Sequence, residues 1–327
     1  MKNFSEISGF DDELRRVGER AQEIAADALM REPLSEVLTA VFSAQGKMLR
    51  PSLLLLFGRM GENYPRCADD LVTAGAIVEL THMASLIHDD IVDDAPYRRG
   101  RSTVQAAYGK DMAVYAGDYL LSRVLGELMK PNMQEAGQIL SRAISDMCSG
   151  ELGQYYAQFN TDIDENHYFM NISGKTASLF SASCEIGATI AGCSRQTAST
   201  ASRFGHILGV LFQLRDDLLD CLPSFSDEGK RRGADFVNGI YTMPVIYSFA
   251  DRDCGEKLRR LAKDAPGLEP ETVFARLYEY ISAAGGIDYT RWMIRQYAER
   301  AANAVDKLPP SKITQALNNM LAELADC

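Results

Sequence analysis

ELTHMASLIHDDIVDD, residues 79–94, is an apolar run that closes on four aspartates. Its apolar side chains recur at three- and four-residue spacing, the period of a helix with a buried face. The pattern reaches back to residue 69 and predicts a helix over 69–92 whose last turn is acidic. On such a helix Asp89 and Asp93 stand one turn apart on the same face. Like charges so placed oppose the helix by about 0.2–0.5 kcal/mol per pair. Carboxylates at a C-terminus also oppose the helix dipole, and a bound cation relieves both penalties.

The same arrangement occurs again in VLFQLRDDLLD, residues 210–220, with Asp216, Asp217 and Asp220. One such cluster reads equally well as a solvated helix end. Two of like spacing, each on an otherwise apolar helix, point to metal. The donors are oxygen only, with no His or Cys in the pattern, which favours Mg²⁺ over zinc. Mg²⁺ completes its shell with water and phosphate, so a diphosphate between the two clusters would use both.

Outward from these clusters the texture stays helical. Periodic segments occupy 12–30, 47–61, 111–130, 133–158, 175–191, 196–222, 240–250, 270–284 and 286–307, with breaks at Pro33, Pro65, Pro96, Pro131, Pro266 and Pro309-Pro310. No linker of Ser, Gly and Pro divides the chain. The expectation is therefore an all-α fold, a single helical bundle domain over 1–327 with a central cavity. The 327 residues carry 34 basic and 45 acidic side chains, a net charge of −11, which argues against nucleic acid as a partner. Seven scattered cysteines with no CxxC argue against a disulfide framework or zinc and for a cytoplasmic setting. The acidic N-terminal stretch has no apolar core of a secretory signal. The longest purely apolar run, Leu53 to Phe57, falls far short of the ~20 residues of a transmembrane segment.

Basic residues follow each acidic cluster: Arg98, Arg99 and Arg101 after the first, and Lys230, Arg231 and Arg232 after the second. Lys47 and Arg50 precede a proline suited to a helix's first turn, and Lys175-Thr176 reads as a helix start, where backbone N–H groups favour anions. Each alone is an ordinary surface charge. Together with the aspartates they outline diphosphate pockets.

In this order QGKMLRP (45–51), the 79–104 segment, GDYLL (117–121), GKT (174–176), FQLRDDLLD (212–220) and GKRRGADFVNGIYTMP (229–244) resemble the trans-isoprenyl diphosphate synthases. The first-motif region looks most like medium- and long-chain polyprenyl synthases, including the catalytic subunit of heptaprenyl diphosphate synthase. The resemblance implies a catalytic set of Asp89, Asp90, Asp93, Lys175, Asp216, Asp217 and Asp220. Asp89, Asp93 and Asp216 would bind Mg²⁺ directly, three ions per active site, with Asp90, Asp217 and Asp220 supporting them. Arg98, Lys175, Thr176, Gln213 and Lys230 would hold the allylic diphosphate; Lys47, Arg50, His82 and Arg99 would hold isopentenyl diphosphate. Outside that motif a lone His82 reads as a buried structural histidine. Gln45 departs from the family's usual Gly, and Ala234 and Ile240 stand where many relatives carry Lys.

The implied reaction is head-to-tail (1′-4) condensation of isopentenyl diphosphate with an allylic diphosphate, giving an all-trans product. Product length would depend on bulk before Asp89, where Ala84 and Ser85 are small. That suggests about six to eight isoprene units, one unit spanning roughly a 5.4 Å helical turn. The alternative is a farnesyl or geranylgeranyl-length product, stopped by a plug such as Tyr119 or Leu125. The resemblance also implies a homodimer, or a partner-dependent subunit of a heteromeric synthase. A terpene cyclase fits less well, because its second motif is not DDxxD and it has no use for Lys47 and Arg50.

Overall fold

The computed structural model describes residue 4 and residues 6–26, 32–43, 46–98, 100–223 and 233–326. In chain order these form α1 (Phe10–Ala25), α2 (Leu34–Ser43), α3 (Leu49–Gly58), α4 (Ala68–Val92), β1 (Tyr97–Arg98), β2 (Arg101–Ser102), α5 (Val104–Tyr108), α6 (Lys110–Leu128), α7 (Gln134–Tyr156), α8 (Glu165–Ile172), α9 (Ser178–Ile190) and α10 (Arg195–Asp220). They continue as α11 (Ala234–Val237), α12 (Met243–Phe249), α13 (Arg252–Asp264), α14 (Pro270–Ala283), α15 (Gly286–Val305) and α16 (Lys312–Ala325). The fold is all-α; β1 and β2 make a two-residue antiparallel hairpin.

Contacts gather into two compact units. The first comprises Met1–Ala143, Leu179–Gly205 and Ala304–Met320; the second comprises Ile144–Ser178, His206–Asn303 and Leu321–Cys327.

In the first unit α4 is the central element, packed by α1, α3 and α6. Leu53 to Phe57 of α3 are wholly buried, as are Leu71, Ile77 and Leu80 of α4. Each such side chain contributes about 1.5–3 kcal/mol of burial free energy. Among the described residues α4 alone is long and apolar enough to cross a bilayer, but most of it is buried in this unit, as in a core helix. The C-terminus of α1 has no basic residue of its own. Instead Tyr119 Oη and Arg123 Nε of α6 donate to the Ala25 and Ile24 carbonyls at 2.8 and 2.7 Å, satisfying acceptors the helix leaves open.

The second unit's core includes Phe236, Tyr241, Phe249, Leu258, Leu277, Ile281 and Ile294, with α12, α13 and α14 in mutual contact. Asp251 caps α13, accepting from the Cys254 and Asp253 amides at 2.8 and 3.1 Å. Of the predicted segments, 69–92, 196–222 and 286–307 match α4, α10 and α15 closely. The periodicity did not disclose α2, α8, α13 or α16. In α13 only Cys254, Leu258 and Leu261 form the buried apolar stripe, and charged residues surround it.

Candidate active site

The first acidic cluster ends α4. Asp89 is half-buried and Asp93 exposed, with the Asp93 amide donating to the Asp89 carbonyl at 2.8 Å. Asp90, between them, is only 6% exposed. Its Oδ1 accepts from Arg98 Nε of β1 at 2.7 Å. Burial raises the Asp90 carboxyl above the usual range, against the lowering effect of Arg98. The hairpin that carries Arg98 is fixed from below. Thr103 Oγ1 and Gln105 Nε2 both donate to the Ala95 carbonyl, at 2.6 and 2.8 Å, and Lys110 pairs with Asp94 at 2.9 Å. Across α4, Gly117 of the GDYLL motif lets α6 approach closely. A Cβ there would lie 2.3 Å from His88 Nε2.

Arg50 and His82 form a second group in the same unit. Arg50 Nη1 lies 3.0 Å from His82 Nε2. Arginine has no acceptor, so Nε2 accepts and the imidazole proton resides on Nδ1. The Arg50 guanidinium also sits 4.4 Å over the Phe180 ring. Lys47 is exposed just before α3, and the left-handed Met48 (φ 49°) turns the chain into that helix. Arg50 and His82 are thus brought together, with Lys47 near the N-terminus of α3.

The second cluster lies on one stripe of α10, where Gln213, Asp216, Asp217 and Asp220 follow at three- and four-residue spacing. Asp216 and Asp220 are half-buried, while Asp217 is 5% exposed. Both Asp217 oxygens are engaged: Oδ2 accepts from Tyr168 Oη at 2.6 Å and Oδ1 from Gln213 Nε2 at 2.8 Å. Gln213 Oε1 accepts in turn from Thr176 Oγ1 at 2.7 Å. Burial pushes Asp217 up to about 7, against the lowering effect of its two donors, with Asp235 and Asp216 raising it further. Tyr168 is raised well above an ordinary phenol by burial and by Asp217. Sequence reasoning missed Tyr168 and Asp235 as members of this cluster.

Lys175 and Thr176 correct one expectation. They do not open a helix. The chain runs as α8 into a π-helical turn over Ser173–Ala177 and on into α9. The turn is wedged against α7 at glycines. A Cβ on Gly150 would lie 2.3 Å from the Lys175 amide nitrogen, and one on Gly174 would lie 2.5 Å from the Asp146 carbonyl oxygen. Single π turns of this kind recur at functional positions. Here the turn presents Thr176 to Gln213 and leaves Lys175 Nζ 2.9 Å from Glu151 Oε2. Glu151 is a further residue the sequence did not single out.

Arg99, Lys230, Arg231, Arg232 and Gln45 lie outside the described residues. Ala84 is fully buried and Ser85 half-buried, on the face of Asp89. Of the two residues named as possible plugs, Tyr119 has its hydroxyl bonded to the Ala25 carbonyl and Leu125 is 62% exposed. The six described cysteines are free thiols. Among the described residues no three His, Cys, Asp or Glu side chains already form a metal cage. The carboxylates of each cluster nevertheless fit Mg²⁺, being hard oxygen donors suited to an ion that shares its shell with water and phosphate.

The polyprenyl synthetase family profile matches residues 31–281. Heptaprenyl diphosphate synthase component 2 of Geobacillus stearothermophilus is 33% identical over 291 residues, 88% of each chain. A geranylgeranyl pyrophosphate synthase structure from Lactobacillus brevis superposes with a TM-score of 0.89 at 26% identity, covering 100% of this chain and 99% of its own. A polyprenyl synthase from Caulobacter crescentus, complexed with calcium and isoprenyl diphosphate, gives a TM-score of 0.88 at 28% identity, covering 97% and 95%.

Proposed function

Because the chain belongs to the polyprenyl synthetase family, and so is a prenyltransferase, we propose that it joins isopentenyl diphosphate head-to-tail to an allylic diphosphate and makes an all-trans polyprenyl diphosphate of about 30–40 carbons, about 5 Å of helix face per five-carbon unit. The observation that carries this reading is the second cluster. There Asp216 and Asp220 share a stripe with a buried, doubly bonded Asp217, and the same chain of bonds reaches Thr176. An acidic group embedded so far from water has no role in holding a fold together that an apolar residue would not fill better.

Asp89, Asp93 and Asp216 would hold Mg²⁺, three ions per site, with Asp220 assisting. The ion supplies Lewis-acid stabilisation of the diphosphate leaving group. The chain's own residues then bind and align. Lys175, Thr176, Gln213 and Arg98 orient the allylic diphosphate, with Asp90 fixing Arg98. Lys47, Arg50 and His82 hold isopentenyl diphosphate so that its double bond meets the allylic carbon as the C–O bond breaks. A proton then leaves the new chain with the departing diphosphate as acceptor, so no protein base is required.

Small residues before Asp89, with Leu125 turned to the surface, support a long product. So does the name of the heptaprenyl relative. Exposed Val114, Tyr115, Leu125 and Met129 on and just after α6 support a homodimer, and a cytoplasmic setting fits the free thiols. A second reading, a catalytic subunit that needs a partner, is favoured by the "component 2" of the Geobacillus relative's name. The test is purified protein with Mg²⁺, labelled isopentenyl diphosphate and farnesyl diphosphate, the products resolved by length after dephosphorylation. Products of 30–40 carbons support the reading, a twenty-carbon stop rejects the length, and no incorporation without a partner supports the second reading.

A further inference from the structure

Tyr168 is a buried tyrosine on α8 that neither acidic motif includes. Its hydroxyl donates to Asp217 Oδ2 at 2.6 Å, its one described hydrogen bond, and its ring meets Phe169 edge-on. Both Asp217 oxygens already accept a bond, Oδ2 from Tyr168 and Oδ1 from Gln213. The bonds converge on Asp217: Tyr168 donates to it from one side, and Thr176 donates to Gln213, which donates to it from the other. Asp217, Gln213 and Thr176 each belong to the stripe or turn assigned to metal and diphosphate. A tyrosine needing only satisfaction could donate to any carbonyl. This one instead holds a buried carboxylate, which is costly to bury and tolerated only where its bonds are complete.

We propose that Tyr168 is a positioning residue for the second acidic cluster: by locking Asp217 it fixes the rotation of the end of α10 and so aims Asp216 and Asp220 at the metal-bound diphosphate. This rests on the prenyltransferase reading. Asp216 precedes Asp217 directly and Asp220 follows one turn later, so the angle at which Asp217 is held sets the angle at which both neighbours project. The same lock keeps Gln213 turned toward Thr176, which links metal placement to diphosphate placement through one hydroxyl.

The test compares wild type, Tyr168→Phe, Asp217→Asn and the double variant. The readouts are isothermal titration of farnesyl S-thiolodiphosphate, an unreactive allylic analogue, at rising Mg²⁺, steady-state kinetics for both substrates, and thermal melting. Orienting groups behind metal ligands change affinity or activity by roughly 10–100-fold. Tyr168→Phe is therefore expected to weaken Mg²⁺-dependent analogue binding by about tenfold or more. KM for isopentenyl diphosphate should stay within about twofold, and the double variant should add little to Asp217→Asn, as expected of residues acting in series. Unchanged analogue binding overturns the proposal, and so does a loss shared equally by both substrates in step with a lowered melting temperature. If Tyr168→Phe does not fold, 3,5-difluorotyrosine at 168 keeps the ring while strengthening the donor. It must shift the Mg²⁺ half-saturation, and no shift overturns the proposal. If wild type binds the analogue but makes no prenyl product alone, the reading that it works without a partner fails, while the binding comparison still decides the role of Tyr168.

Discussion

Arg98 Nε donates to Asp90 Oδ1 at 2.7 Å, from a half-buried guanidinium to a carboxylate only 6% exposed. The second aspartate of the first motif is therefore occupied with orienting an arginine, while Asp89 is half-buried and Asp93 exposed. The carboxylate is the more buried partner, so its loss and the loss of Arg98 differ in kind. Removing the arginine strands an acceptor inside the protein; removing the acceptor frees an arginine that can reach solvent.

Arg98→Ala is accordingly expected to lower stability by about 1–3 kcal/mol, the cost of an unsatisfied buried acceptor. Asp90→Asn should cost less in stability. Both should reduce kcat/KM for the allylic diphosphate by about 10–100-fold, as for other groups that orient ligand-binding side chains. Arg98→Lys should not rescue activity, because an ammonium cannot reproduce the guanidinium fork. Urea denaturation and kinetics with the allylic substrate varied will separate these effects; full activity in Arg98→Lys would contradict the argument.

The crossing of α7 with the π turn makes a paired prediction about glycines. A methyl at Gly150 would meet the Lys175 amide nitrogen at 2.3 Å and the Asn171 carbonyl oxygen at 2.6 Å. Both are backbone and cannot rotate aside. Gly150→Ala should destabilise by about 1–3 kcal/mol, as overpacking does, and should displace Lys175 and Thr176. Gly126, inside α6, has nothing within 4 Å of such a methyl. Gly126→Ala should stabilise by about 0.5–1 kcal/mol, the helix-propensity difference. Opposite signs in chemical denaturation are the expected result.

These contrasts show what the sequence could and could not reveal. Apolar periods of three and four placed α4 and α10 well, and their aspartates stood out because nothing else explains acid on apolar helices. The π turn was invisible. Its register is set by Gly150, more than twenty residues before Lys175, and no local pattern announces a contact between backbones. Tyr168 in ENHYFMNI looks like any aromatic on a short helix, since its importance lies in the carboxylate it meets 49 residues later. The resemblance gives Asp90 a supporting role, but its burial and its pairing with Arg98 could not be read from the motif.

Tyr289 gives a pH prediction away from the acidic clusters. Its hydroxyl donates to Glu165 Oε2 at 3.0 Å, and its ring stacks on Tyr247 with centroids 4.1 Å apart. Burial, then the bond to Glu165, pushes its phenol up to about 12. The folded state thus keeps a proton that the unfolded chain gives up near pH 10. The stability it contributes is complete below about pH 10 and is lost as pH rises to about 12. Denaturation of wild type and Tyr289→Phe at pH 8, 10 and 11 should show the wild type losing stability more steeply over the upper interval. Parallel curves would reject the assignment.

Product length offers the sharpest separation between neighbouring positions. Ala84 and Ser85 are both small, but they do not occupy equivalent places. Ala84 is fully buried, whereas Ser85 is half-buried, one turn before Asp89 on its face, with its hydroxyl bonded to the His82 carbonyl at 2.9 Å. With the allylic diphosphate held at Asp89 as proposed, a prenyl chain running back along that face would pass Ser85 about 5–6 Å away, one helical turn. Ser85→Phe should therefore leave the fold intact and shorten the product by one or more isoprene units, with kcat for the first condensation little changed. Ala84→Phe should instead overpack the core, at a cost of about 1–3 kcal/mol. Products resolved by length after dephosphorylation, alongside melting curves for both variants, test the distinction. A Ser85→Phe enzyme that still makes the wild-type length would place the growing chain along a different face of α4.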